Sequence, residues 1–238
     1  MNPYSVNDVG VPAAFAEESA RAGFIRRTYT HLFGAIVALV ALEIALFALV
    51  PKETMMGVMR KVTPMYWLGA LALFMGVSWV ARSWASSGGS RGKQYAGLGL
   101  YVLAEAALLF PLLYVAVVFV DPKTPLLAAM ITLFVFGGLT VFVFMTGADL
   151  SGMGKYLAIG GLAAFAAIAA GMIMGFSLGI WFSVAMVALA SGYILYDTSN
   201  VLHHYHTDQH VAASLALFAS VVLLFWYVLR ILMAFAEE

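Results

Sequence analysis

Long apolar runs, separated by short polar or proline- and glycine-containing segments, follow one another along most of the chain. A helix needs about 20 apolar residues to cross the hydrocarbon core of a bilayer, and seven runs have about this length. They cover Thr30 to Val50, Met65 to Ala81, Tyr95 to Val120, Pro125 to Thr146, Tyr156 to Phe176, Ile180 to Tyr196 and Val211 to Phe235. The pattern predicts an all-α fold, a polytopic membrane protein built as a bundle of seven transmembrane helices.

Composition supports the same architecture and excludes several others. Of the 238 residues, 63% are hydrophobic and 10% are charged, whereas a soluble domain has about 25% charged residues. The expected partner of most of the surface is therefore the lipid bilayer. The formal net charge is zero, so we expect no nucleic-acid binding. The chain has no cysteine, which excludes disulfides and thiolate metal sites.

The first 24 residues differ from the rest. They contain Pro3, Gly10, Pro12 and Gly23, charges of both signs and few large apolar side chains. This composition is typical of disorder. We predict a disordered cytosolic tail over 1–24, able to reach roughly 80 Å when extended, followed by a transmembrane domain over 25–238.

The basic residues favour one orientation of the bundle. Seven of the twelve lie on the side of the N-terminus and five on the opposite side. The seven are Arg21, Arg26, Arg27, Arg82, Arg91, Lys93 and Lys155. Because basic residues concentrate in cytosolic loops, this excess predicts a cytosolic N-terminus and an exported C-terminus, as in a multi-pass protein of a bacterial inner membrane.

Ionisable groups inside the runs are candidates for function, because a charge at mid-membrane is costly. Glu105 is near the centre of the third run, with alanines on either side. It either belongs to a proton or cation path or is a neutral, hydrogen-bonded acid. Glu43, in the first run, is expected to snorkel or to form a structural bond.

Asp197 follows the sixth run, and the apolar Val201 and Leu202 predict that the helix continues past it. A turn centred near residues 208–209 would set position 197 level with Ser220 on the next helix, where a carboxylate and a hydroxyl can hydrogen-bond. Arg82 ends the second run on the same predicted side and is a candidate counter-charge. The acid could be functional or structural.

Histidines are concentrated after the sixth run. His203, His206 and His210 could share a face and are weak candidates for a metal site. No His-Glu-x-x-His sequence accompanies them, so we expect a solvated, pH-sensitive loop and no metal. His31 stands alone at the start of the first run.

Several enzyme and receptor classes are excluded by missing residues. The last run has no lysine for a retinal Schiff base, no histidine of the late cluster lies in mid-membrane beside a serine, and no nucleotide-binding glycine loop with its lysine is present. We therefore expect no catalysis and no cofactor. An ion or proton pathway and a binding or regulatory role remain.

Three short segments resemble the Bax inhibitor-1 family, and hydropathy matches over about residues 22–236. They are Arg26-Arg27-Thr28-Tyr29, then Thr146-Gly147-Ala148-Asp149-Leu150-Ser151 with Gly152 and Gly154, and Ile194-Leu195-Tyr196-Asp197-Thr198-Ser199-Asn200. The chain is most similar to the bacterial YccA-like branch, whose members bind and restrain the membrane protease FtsH. The resemblance thus implies an FtsH modulator.

The other branch of this family comprises pH-modulated calcium-leak proteins, in which two aspartates form a latch. By this resemblance Asp197 corresponds to the first latch aspartate and Arg82 to its basic partner, but Ser220 occupies the second position. Since an acid pair cannot form at 197 and 220, the resemblance favours the protease modulator. A calcium or proton leak using Asp197, Arg82 and Glu105 is the alternative.

Overall fold

The chain forms a bundle of long helices, in a computed structural model that describes residues 11–61, 63–88 and 90–236. The described residues are 88% helical and contain no strand. The helices are α1 Glu18–Leu49, α2 Lys52–Lys61, α3 Pro64–Ala85, α4 Arg91–Val115, α5 Thr124–Thr146, α6 Gly154–Met174, α7 Gly179–His203 and α8 His210–Ala236. A π-helical turn, Ala116–Val120, extends α4. All except α2 are long and apolar enough to span a membrane, which confirms the seven predicted spans.

The outer face of the bundle is strongly apolar. Phe134 on α5 and Trp181 on α7 are 84% and 82% exposed. Such side chains would be unfavourable in water, but they are the expected surface of a protein covered by lipid. The outward direction of these residues therefore agrees with a membrane environment.

Helix α8 occupies the centre. It packs against α7, α1, α5, α4 and α3. In its most apolar stretch of 18 residues, 61% of the residues are buried, whereas the figure for the corresponding stretch of α3 is 6%. Leu215, Leu217, Phe218, Leu224 and Leu229 on this helix are all at most 1% exposed. Because the other helices enclose α8, the last predicted span is the core of the molecule.

The prediction of a disordered tail is wrong for residues 11–24. The amide of Ala13 donates to the carbonyl of Tyr205, and the amide of Thr207 donates to the carbonyl of Val11. Ala13 and Phe24 are fully buried, and α1 begins at Glu18. Backbone pairing with the loop between α7 and α8, which the composition does not reveal, holds this segment. The part of the predicted tail over 1–10 lies outside the described residues.

A short helix that the hydropathy pattern did not predict lies between the first two spans. Helix α2 has ten residues and carries Lys52, Glu53, Arg60 and Lys61. Its Met55 is buried against Phe110 and Tyr114 of α4. The segment is too short and too polar to cross a bilayer, so a search for apolar runs does not detect it.

Close contact between α3 and α4 sets the position of Arg82. A Cβ atom added at Gly97 would lie 2.5 Å from the carbonyl oxygen of Ala81 and 2.7 Å from the amide of Ala85. Only glycine permits this approach of two backbones. The contact brings the C-terminal end of α3, with its arginine, against α4.

Candidate functional site

The buried carboxyl group of Asp197 is the centre of the site. Helix α7 continues to His203, as predicted, so Asp197 lies inside it. The Ser220 hydroxyl on α8 donates a 2.5 Å hydrogen bond to Asp197 Oδ2. The two residues are 8% and 5% exposed. The predicted contact is thus present, while its role as a latch stays a prediction.

Arg82 lies near this pair without forming an ion pair with it. Its guanidinium carbon is 5.4 Å from the centroid of the Tyr101 ring, in cation–π range. Its charge acts on both Asp197 and Glu105. Among the described residues, however, no carboxylate oxygen is within 4.0 Å of the guanidinium. Arg82 is therefore a shared positive charge and not the direct partner of one acid.

Glu105 belongs to the same polar interior. It is 6% exposed on α4, one helical turn after Tyr101. Residues four apart share a helix face, so Glu105 lies on the same face of α4 as the tyrosine ring that Arg82 contacts. The four predicted latch residues are thus linked through Arg82, which lies over Tyr101 and acts electrostatically on Glu105 and on the Asp197 carboxyl that Ser220 binds. Sequence reasoning missed Tyr101, although its spacing from Glu105 could have revealed it.

Two of the segments that carry the family resemblance meet in space. The loop between α5 and α6 lies against the end of α7, where the Ser199 hydroxyl accepts a 2.7 Å bond from the Leu150 amide and donates to the Ala148 carbonyl. Gly154 packs on Tyr196, since an added Cβ would be 2.9 Å from its ring. These motif positions therefore fix a loop onto the helix that carries Asp197.

Asp149 is an exposed residue of the same loop. Its Oδ1 accepts a 3.0 Å bond from the Ser151 amide, and both carboxylate oxygens are 3.2 Å from His204 Nε2. The bonds from Ser151, first from its amide and then from its side chain, and the one from His204 lower the pKa of Asp149 to about 2. The carboxylate is thus held in its ionised form at the membrane surface.

The remaining motif positions are mostly structural. Thr28 and Thr198 are fully buried, and the hydroxyls of Tyr29 and Thr198 have no hydrogen-bond partner among the described residues. The Asn200 carbonyl accepts from the amides of His204 and Tyr205, which ends α7. Arg26 is exposed, and its carbonyl accepts from Thr30.

The histidines do not converge as a metal site. His203 Nδ1 is bonded to the Ser199 carbonyl, His206 pairs with Pro12 in an isolated bridge, and the His210 ring packs 4.9 Å from His31. In the described ranges, no three histidine or acidic side chains are placed to hold a metal ion. The expectation that His31 stands alone is wrong, because it contacts both His210 and Tyr95.

Glu43 does not behave as expected either. It is 6% exposed, and neither carboxyl oxygen has a hydrogen-bond partner in the described part of the chain. It therefore neither snorkels to the interface nor forms a structural bond. The sequence showed its depth but could not show which neighbours surround it.

Seven spans around a buried carboxyl group define a polytopic membrane protein with an ionisable interior. The model of the family described as inhibitor of apoptosis-promoting Bax1 matches residues 21–237. The chain therefore belongs to the Bax inhibitor-1 family. Bax inhibitor 1 of Schizosaccharomyces pombe is 32% identical over 122 residues, which are 49% of this chain and 45% of that relative. The match thus spans less than half of the relative's length.

Proposed function

We propose that this protein binds and restrains an FtsH-type membrane protease, without catalysis of its own, in a bacterial inner membrane with its N-terminus cytosolic. The observation that carries the proposal is the enclosure of α8 by five other helices. A protease that pulls on the N-terminal end must first separate α1 from α8 and α4, and the side chains between these helices lose their packing when α1 leaves. A bundle of this kind occupies the protease without being degraded quickly.

The N-terminal segment is the proposed point of engagement. Residues 11–13 pair with the loop at 205–207, so this part must detach before it can be pulled. The contact thereby adds a second barrier to extraction, next to the packing of α8. A tail disordered over residues 1–24, as its composition predicts, would lack this barrier.

The test compares two substitutions next to each other. Ala13→Asp places a charge where the side chain is fully buried and should release the segment, whereas Ala14 is exposed, so Ala14→Asp is the matched control. We expect faster turnover by the protease for the first variant only. Failure of the wild-type protein to co-purify with the protease, or equal turnover of both variants and wild type, would contradict the proposal.

A cation leak is the second candidate, favoured by three buried carboxyl groups within one bundle. Glu43, Glu105 and Asp197 are each at most 8% exposed, and such groups inside a membrane protein commonly mark ion or proton paths. Calcium uptake into liposomes that contain the purified protein tests this candidate. Asp197→Asn should change the pH dependence of that uptake, and absence of uptake by the wild-type protein would eliminate the leak.

A further inference from the structure

A groove of about 520 Å³ runs between α1 and α4 on the lipid-facing side of the bundle. Its walls are apolar and include Ala38 and Leu42 of α1 and Leu103 of α4, and Leu103 is 56% exposed. The volume is within the usual range of ligand pockets. Because this groove opens toward the hydrocarbon, an occupant must be apolar along most of its length.

Two glycines create the hollow. A Cβ atom added at Gly34 or Gly99 would meet no atom within 4 Å. By contrast, Gly97, two residues before Gly99, is glycine because α3 lies against it. Gly34 and Gly99 therefore do not serve close helix packing. An empty groove would lose dispersion contacts along both walls, so we expect the acyl chain of a bilayer lipid to fill it.

One end of the groove is polar and positively charged. His31 and Tyr95 line it, with His31 Nε2 3.2 Å from the tyrosine hydroxyl. Arg27 and Arg91 precede these two residues by one helical turn and are exposed, so each lies on the same face as its neighbour in the groove. Arg27 also donates to the Thr207 carbonyl at 3.3 Å, which holds it at this end.

The charges at this end are predominantly basic. Both arginines and His31 are close enough to act electrostatically on His210. Asp208, two residues before His210 on the adjoining loop, is the acid of this region and is exposed. Two fixed positive charges beside two histidines favour an anionic group with several acceptor oxygens, and arginine matches phosphate in particular.

We propose that this groove binds an anionic phospholipid, with one acyl chain between α1 and α4 and its phosphate at Arg27, Arg91 and the His31–Tyr95 pair. The lengths agree. From Thr30 to Leu42 the groove extends roughly 18 Å along α1 at 1.5 Å per residue, and one leaflet is half of a hydrocarbon core of about 30 Å. The lipid comes from the leaflet at the N-terminal end of α1 and fills the hollow beside the two glycines. This inference does not depend on the protease or on the leak.

The test measures lipid retention by native mass spectrometry of the full-length protein in detergent, with added phosphatidylglycerol or phosphatidylcholine. We expect the wild-type protein to retain phosphatidylglycerol better. Arg27→Ala combined with Arg91→Ala should lower that retention about tenfold, since each removes a charge-assisted contact, and should leave phosphatidylcholine unchanged. Lys155→Ala is the control, because Lys155 is an exposed basic residue on α6, a helix that does not line the groove.

A second pair of variants tests the acyl chain. Gly34→Leu and Gly99→Leu fill the groove and should lower retention of both lipids. Gly138→Leu is the matched control, because that glycine on α5 also faces open space. Equal retention of the two lipids by the wild-type protein, no loss in the double arginine variant, or the same loss in the controls would overturn the proposal.

Discussion

The Ser220 hydroxyl of α8 donates a 2.5 Å hydrogen bond to the Asp197 carboxyl group of α7, and both residues are buried. The two positions are 23 residues apart and face each other because α7 and α8 form an antiparallel hairpin. A buried carboxyl group is stable only when neighbours satisfy it. This bond therefore links the most polar part of α7 to the most buried helix of the molecule.

Replacing Ser220 tests how much the bond stabilises the bundle. Ser220→Ala leaves the Asp197 carboxyl without its donor and should lower the free energy of unfolding by about 1–3 kcal/mol. Ser214→Ala is the matched control, because the Ser214 hydroxyl is buried on the same helix but donates to the Val211 carbonyl of that helix. Thermal unfolding in detergent measures both. Equal losses of unfolding free energy in the two variants would show that the bond to Asp197 contributes no more to stability than the bond made by Ser214.

Ser220→Asp restores the pair of acids that the resemblance associates with leak proteins. Two carboxylates at this distance repel each other unless one is protonated. We expect this variant to be less stable than wild type at about pH 8 and to regain stability at about pH 6. The pH dependence of calcium uptake by liposomes should become steeper in parallel. A variant whose unfolding temperature and uptake do not respond to pH would contradict this expectation.

A substitution at Gly97 tests how much the close approach of α3 and α4 contributes to stability. Gly97→Ala places a methyl group against the backbone of Ala81 and Ala85, and overpacking of this kind costs about 1–3 kcal/mol. Gly76→Ala is the control, since a Cβ there meets no atom within 4 Å. The unfolding temperature should fall for the first variant and stay the same or rise for the second. A tolerated Gly97→Ala would mean that the helices can separate without cost.

The lowered pKa of Asp149 determines in which direction its contribution to folding stability changes with pH. Its pKa is lowered to about 2 in the folded protein, against an ordinary value near 3.9. The ionised group therefore stabilises the fold above about pH 4, and this contribution is lost as the pH falls through about 2. Asp149→Asn should remove that part of the pH dependence of unfolding. Asp208→Asn, at an exposed acid of another loop, is the control, and an unchanged profile in the Asp149 variant would contradict the assignment.

The seven spans predict where the ends of the chain lie. An odd number of crossings puts the two termini on opposite sides, and the excess of basic residues predicts that the N-terminus is cytosolic. A reporter fused to the N-terminus should be active only in the cytosol, and one fused to the C-terminus only outside it. Reporters that indicate the same side for both ends would contradict seven crossings, whereas a full reversal would contradict only the charge argument.

The sequence by itself determined the number and approximate extent of the seven spans, because each span must shield its backbone within one long apolar helix. It also determined that Asp197 meets Ser220, since the short connection between two antiparallel helices fixes which positions are level. Both features depend on residues that are close in the chain, so a local pattern was enough to predict them.

Only the tertiary structure decided which helix is central, which groups share Arg82 and what holds residues 11–24. The apolar patterns of α8 and α5 are similar, yet α8 is enclosed and α5 faces lipid, because in a bilayer apolar side chains are as stable outside the bundle as inside it. The pairing of Ala13 with Tyr205 joins backbones 192 residues apart in the chain. Backbone groups have no signature of their own in the sequence, so contacts of this kind appear only when the helices are packed.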